Sequence, residues 1–179
     1  MKIKEILLPI GAILLAALIL FGLSAGLHGV ATANAQKEHI QIMQTLLPGS
    51  ESFTLEPYSG EDETIRSVHK GEGGFVIETV TQGYAGEITM LVGVSNEGTV
   101  TGLTVRDIHE TCGLGNTALT DWEFLAQYLR TAGDAEVGTN IDAISGATVT
   151  SRAITRCVNS AVAYVTGADT NSGATSWGG

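Results

Sequence analysis

Residues 74–107 read GFVIETVTQGYAGEITMLVGVSNEGTVTGLTVRD, and this stretch decides the fold. Glycine-containing breaks at 82–86 and 96–98 divide it into three segments that are rich in β-branched residues. These segments are 74–81, 87–94 and 99–107. Strands joined by such short turns pair in antiparallel order, so the sequence predicts a meander. Upstream of them, residues 65–70 have the composition of one further short strand.

Helical patterns lie on both sides of these strands. Three segments have helical spacing of their apolar residues: 36–47, 120–132 and 151–165. Thr120 and Glu123 fit a capping box at the start of the second segment, and Gly167 fits a C-cap after the third. The predicted fold class is therefore α+β, an antiparallel β-sheet with flanking helices.

The N-terminal part of the chain predicts one transmembrane helix. Residues 6–27 contain no charged side chain, and about 20 apolar residues suffice to cross a bilayer. Lys2 and Lys4 precede this run and the next basic residue is Lys37, so the positive-inside rule puts the N-terminus in the cytoplasm. The alternative is a cleaved signal peptide, for which residues 33–35 (Ala-Asn-Ala) offer a cleavage site.

Together these patterns predict five segments along the chain. They are a cytoplasmic N-terminus (1–5), a transmembrane helix (6–27), a stalk helix with an acidic linker (28–63), a globular domain (64–167) and a flexible tail (168–179). The predicted location is the cell membrane, as a single-pass protein with its main domain outside the cytoplasm.

The charge and the cysteine content of the chain argue against a nucleic-acid partner and against a metal site. The formal net charge is −10, and clusters of Lys and Arg that could contact a phosphate backbone are missing, so nucleic acid is not expected as a partner. Cys112 and Cys157 are the only cysteines and form no CxxC pair, so we expect no metal site. Cys157 has the helical spacing of a small buried apolar residue.

The tetrapeptide SGAT occurs twice, at 145–148 and at 172–175. The first copy lies where an extended segment gives way to a helix, and the free N–H groups of a first helical turn favour an anion such as phosphate. Simple capping of the helix by Ser and Thr side chains is the alternative interpretation. The second copy is followed by Trp177 and then by the last residues of the sequence, so no helix is predicted to follow it.

The segment 142–151, DAISGATVTS, resembles the flavinylation motif of the FMN-binding domain in the RnfG and NqrC family of membrane electron-transport subunits. In that family the FMN phosphate is esterified to the hydroxyl of the residue two positions after the SGAT threonine. The resemblance implies a covalent phosphoester between FMN and Thr150. It also implies that the cofactor is surrounded by Asp142, Ser145, Gly146, Ala147, Thr148 and Ser151. The second copy has Trp177 at the acceptor position, so Thr175 is not part of such a site.

A second motif extends the resemblance. Residues 109–115 read HETCGLG and resemble the family's H-x-E-T-P-G-L-G loop beside the flavin ring, with Cys112 in place of proline. The resemblance implies that this loop contributes ring contacts from Glu110, Thr111, Gly113, Leu114 and Gly115. The order of the strands and turns between 83 and 98 also resembles the family pattern.

The family role implies a membrane-anchored electron carrier that has no turnover of its own. As an RnfG-like component, the chain would work with the other membrane subunits of an ion-translocating ferredoxin:NAD oxidoreductase complex. A flavin transferase would attach the FMN during maturation. Two alternatives remain open at this stage: a stand-alone anchored flavoprotein that passes electrons to an external acceptor, and a non-redox surface protein.

Overall fold

The computed structural model describes residues 36–108 and 120–168, together with Ala16, Leu18 and Gly22. Apart from these three residues, the predicted transmembrane helix at 6–27 lies outside the described part of the chain. Within the described residues, no helix has both the length and the apolar composition needed to cross a membrane. The chain divides into two compact units, Met1–Gln41 and Ile42–Gly179, and the sheet belongs to the second.

The second unit contains a five-stranded antiparallel meander in which each strand pairs with the next in the chain. The strands are β1 (Thr54–Glu56), β2 (Ile65–Lys70), β3 (Gly74–Gln82), β4 (Glu87–Ser95) and β5 (Val100–Ile108). The helices of the described residues are α1 (36–46), α2 (Trp122–Ala126) and α3 (Thr148–Thr166). The predicted antiparallel sheet with flanking helices is confirmed, and so is the left-handed C-cap at Gly167.

Strand β1 corrects one expectation, because it lies inside 48–63, which the sequence predicts to be a linker. It is only three residues long, and its central residue Leu55 is 63% exposed. An edge strand this short buries too little apolar surface to leave a periodic signal. Its pairing with β2 is therefore visible only in the structure.

Helix α2 corrects a second expectation, since it has five residues instead of continuing to 132. Its N-cap is Asp121, whose carboxylate accepts hydrogen bonds from the N–H groups of Glu123 and Phe124, so the predicted capping box is wrong. The chain leaves the helical path at Arg130, which has a left-handed φ of 71°. There the Arg130 N–H donates to the carbonyl of Val100 at 3.0 Å, so the segment pairs with the start of β5.

Helix α3 covers one face of the sheet and forms the main core. Its buried residues include Ile154, Cys157, Val158 and Ala161, which confirms the predicted apolar stripe and the buried position of Cys157. They pack in one cluster with the alternate residues of β4 that face them: Ile88, Met90, Val92 and Val94. Burying an Ile, Val or Met side chain contributes about 1.5–3 kcal/mol, so this interface holds α3 in place.

The opposite face of the sheet receives the end of α1. Gly93 of β4 and Gly102 of β5 lie directly opposite each other, and a Cβ on Gly102 would lie 2.9 Å from the Leu46 Cα. Thr101 is the extra residue of a β-bulge, and its hydroxyl donates to the Leu46 carbonyl at 2.6 Å. The two glycines thus allow the backbone at Leu46 to lie against the sheet.

Substitution of Gly102 tests this close approach. We expect Gly102→Ala to destabilise the domain by about 1–3 kcal/mol, because the added methyl overlaps the backbone at Leu46. Gly73→Ala is the matched control, since its Cβ would meet nothing closer than Ser50 Oγ at 3.6 Å and should change the unfolding free energy by less than about 1 kcal/mol. Urea unfolding measures both, and equal effects of the two substitutions would contradict the proposed packing.

Candidate functional site

The first turn of α3 is an uncapped helix N-terminus. Gly146 adopts a φ of +81°, which turns the chain into the helix, and Ala147 is the N-cap. Alanine has no side-chain oxygen, and no side-chain hydrogen bond caps this end. The expectation that the helix starts at Ser151 is therefore wrong by three residues, because the turn at Gly146 already starts the helix. The N–H groups of the first turn remain available to an anion.

Thr150 lies in this first turn with its side chain buried. It is 1% exposed, and its Oγ1 has no hydrogen-bond partner among the described residues. The neighbouring hydroxyl of Ser151 differs, since it donates to the Ala147 carbonyl at 3.0 Å. A buried hydroxyl without a partner costs about 1–3 kcal/mol, which makes Thr150 the least satisfied polar group of this turn.

The structure brings the predicted residues of the SGAT segment together in one exposed turn. Asp142, Ser145, Gly146 and Thr148 are not buried, whereas Ala147 lies buried beneath them. The predicted loop residues Glu110, Thr111, Gly113, Leu114 and Gly115 lie outside the described residues, as do Cys112 and the second SGAT at 172–175. Their roles stay predictions.

Two residues that sequence reasoning missed hold this segment at its two ends. The side-chain amide of Gln127 accepts from the Asp142 N–H at 2.7 Å and donates to the Asp142 carbonyl at 3.3 Å. Tyr128 is fully buried, and its hydroxyl donates to the Ser151 carbonyl at 3.3 Å and lies 2.8 Å from Thr155 Oγ1. Both residues lie inside the segment 120–132 that the sequence predicts to be helical, and that pattern contains no signal for either contact.

Burial changes the acid–base properties of Tyr128 and of Cys157 in α3. Loss of solvent raises the pKa of Tyr128 to about 12, although its hydrogen bond with Thr155 works in the opposite direction. Burial likewise raises the pKa of the Cys157 thiol to about 11. Both groups are therefore neutral at physiological pH.

Comparison with known proteins gives a family for this site. The family model of the FMN-binding domain matches residues 83–163, which include the sheet from β4 onward and most of α3. The RnfG-type component of the ion-translocating oxidoreductase complex of Methanosarcina acetivorans is 34% identical over 149 residues, covering 74% of this chain and 76% of that protein. The chain belongs to the RnfG-type family of FMN-binding proteins.

Other RnfG-type relatives match a shorter part of the chain. The one from the Na⁺-translocating ferredoxin:NAD⁺ oxidoreductase complex of Acetobacterium woodii is 38% identical over 98 residues, covering 50% of this chain and 47% of that protein. The one from the proton-translocating ferredoxin:NAD⁺ oxidoreductase complex of Clostridium ljungdahlii is 36% identical over 99 residues, covering 51% and 53%. The chain thus spans about half the length of these two relatives.

The residues at the start of α3, where the first SGAT lies, fit an FMN phosphate. The uncapped N–H groups of the first turn supply hydrogen-bond donors, and the exposed residue Arg152 carries positive charge one turn further along the same helix. The first turn contains no acidic side chain that would repel an anion. Esterification would also remove the proton of Thr150 Oγ1, which has no acceptor among the described side chains and backbone groups.

The raised pKa of Tyr128 predicts that the folded domain loses stability at alkaline pH. Its pKa is raised from 10.0 to about 12 in the folded protein, so its contribution is complete below pH 10 and is lost as the pH rises through 12. The difference between the pKa of Tyr128 in the unfolded chain and in the folded protein corresponds to roughly 3 kcal/mol of unfolding free energy. Urea unfolding between pH 10 and 12 should therefore show a smaller loss for Tyr128→Phe than for the wild-type chain. Equal pH dependence of the two proteins would contradict this prediction.

Proposed function

We propose that this chain is the FMN-carrying RnfG component of a membrane-bound, ion-translocating ferredoxin:NAD oxidoreductase complex, with FMN esterified through its phosphate to Thr150. Family membership supports the general role, and the relatives from Acetobacterium and Clostridium are named as subunits of such complexes. The observation that carries the site assignment is the buried Thr150 hydroxyl, unpartnered among the described residues and set in an uncapped helix N-terminus.

Attachment of FMN is a phosphoryl transfer to Thr150. The phosphate of free FMN is a monoester with no good leaving group, so the donor must contain a phosphoanhydride, as a flavin dinucleotide does. The Thr150 oxygen forms a bond to the flavin-side phosphorus, the pyrophosphate P–O bond breaks, and a nucleoside monophosphate leaves. The hydroxyl proton passes to a base that the transferase supplies.

After attachment, the chain's own residues would hold the phosphate and fix its direction. The N–H groups of the first turn and the exposed Arg152 would stabilise the phosphodiester charge. When bound, FMN supplies one- and two-electron redox chemistry, and the protein supplies orientation and electrostatics. Electron carriage is therefore the role that we propose for this site.

Partners and location follow from the family role. The chain would exchange electrons with other membrane subunits of the complex, and a flavin transferase would act on it once during maturation. The proposed arrangement is a single anchor at 6–27 with the flavin domain outside the cytoplasm. A stand-alone anchored flavoprotein is the less favoured alternative, because the relatives described above are all named as complex subunits.

Replacement of the acceptor hydroxyl tests the attachment site. The chain should be produced together with a flavin transferase, denatured and separated in a gel, where covalent flavin fluoresces under ultraviolet light. Thr150→Val should abolish the fluorescence, because the isosteric side chain has no oxygen to form the ester. Thr175→Val in the second SGAT is the control and should retain it.

Each outcome of this experiment has one meaning. Retained fluorescence in Thr150→Val would exclude Thr150 as the acceptor. Lost fluorescence in Thr175→Val would identify the second SGAT as a modification site and contradict the proposal. A non-fluorescent wild-type chain, with the transferase shown to be active on another substrate, would contradict covalent attachment itself.

Labelling in intact cells tests the proposed topology. With Cys112 and Cys157 replaced, a single cysteine introduced by Ser172→Cys should react with a membrane-impermeant thiol reagent before lysis. The reason is that the positive charge lies on the N-terminal side of the apolar run, which directs the rest of the chain outward. A cysteine introduced before the run, by Ile3→Cys, is the control and should react only after lysis. The reverse pattern would invert the topology.

A further inference from the structure

The flavinylation segment 142–151 is fixed to the domain by a polar clasp near its start. The Gln127 amide binds both the N–H and the carbonyl of Asp142, in the way a neighbouring strand would. From Ala143 to Gly146, the one backbone hydrogen bond found among the described residues is local, from the Ala147 N–H to the Ile144 carbonyl at 2.9 Å. Apolar contacts of Ile144 and Ala147 with the core complete the attachment.

The other end of the segment is fixed more firmly. Tyr128 is fully buried and binds the Ser151 carbonyl and the Thr155 hydroxyl, so α3 is held from Ser151 onward. The three residues before that point, Thr148, Val149 and Thr150, are β-branched and lack a side-chain cap. Such a turn opens more readily than the rest of a helix, because both its propensity and its capping are poor.

A buried Thr150 cannot be modified where it lies. Phosphoryl transfer requires the attacking oxygen to approach the phosphorus in line with the leaving group, whereas Thr150 is 1% exposed and its Oγ1 is fully covered. The transferase must therefore act on a conformation in which the first turn of α3 has opened. The closed conformation is the one with the Gln127 clasp in place.

We propose that Gln127 is a positioning residue that keeps the flavinylation segment closed, and that release of its clasp on Asp142 is the step that exposes Thr150 to the flavin transferase. This inference rests on the proposed function of Thr150. Tyr128 limits the opening to the residues before Ser151, so the helix core stays folded while Thr150 swings outward. The mostly exposed residues from Asp142 to Gly146 are then the part of the segment that a transferase can bind first.

Hydrogen exchange followed by mass spectrometry tests the clasp without any flavin. The full chain, purified in detergent from cells lacking the transferase, is compared with Gln127→Ala. Loss of the two hydrogen bonds should raise the exchange rate of amides in 142–150 by about tenfold and leave the strands unchanged. Gln127→Glu keeps the acceptor for the Asp142 N–H but loses the donor, so it should give an intermediate rate.

Asn140→Ala is the matched control. The Asn140 amide makes a clasp of the same kind, accepting from the Glu136 N–H at 2.7 Å and donating to the Asp134 carbonyl at 2.9 Å, but these bonds do not involve the flavinylation segment. This substitution should therefore leave exchange in 142–150 at the wild-type rate. A rise equal to that of Gln127→Ala would mean that any loosening of this region has the same effect, and it would overturn the assignment to Gln127.

The second measurement is the initial rate of FMN attachment at limiting transferase. If opening is the gate, Gln127→Ala should be modified several-fold to about tenfold faster than wild type, with Gln127→Glu between them and Asn140→Ala unchanged. An unchanged or slower rate, or unchanged hydrogen exchange, would overturn the inference. Wild-type chain that carries no flavin on Thr150 would instead overturn the proposed function, which keeps the two failures distinguishable.

Discussion

Burial of β4 on both faces is the constraint on which the rest of the domain depends. Every residue from Ile88 to Val94 is buried, so this strand needs a covering layer on each side of the sheet. Helix α3 supplies one layer, and the chain around Leu46 supplies the other. Because this packing holds α3 on the sheet, it also sets where the turn at the start of the helix leaves the domain core.

The sheet could be predicted from sequence, because its signals are local. β-branched segments and glycine turns marked β3, β4 and β5 to within about a residue at each end. The helix starts were less predictable. Capping rules predict an N-cap residue with an oxygen in its side chain. The N-cap of α3 is instead Ala147, which follows the turn at Gly146. The N-cap of α2 is Asp121 in place of Thr120. The motif thus identified the segment, but it did not show that Thr150 lies inside the first turn of α3.

The contacts that hold Asp142 and bury Thr150 join residues far apart in the sequence, so no local pattern predicts them. Gln127 and Asp142 are 15 residues apart, and a glutamine near the end of a short helix looks like an ordinary surface residue. The burial of Thr150 depends likewise on how α3 lies on the domain. A motif resemblance could supply the proposed acceptor residue, but the burial of its hydroxyl could be seen only in the fold.

The short strand β1 has a consequence for how the domain behaves among its neighbours. Open sheet edges recruit further strands, and this one offers only three residues, ending at Pro57, which has no N–H to donate. Lys70 and Glu56 add an ion pair with a 3.5 Å separation at the same border. The sheet therefore has little capacity to grow at β1 by edge-to-edge aggregation.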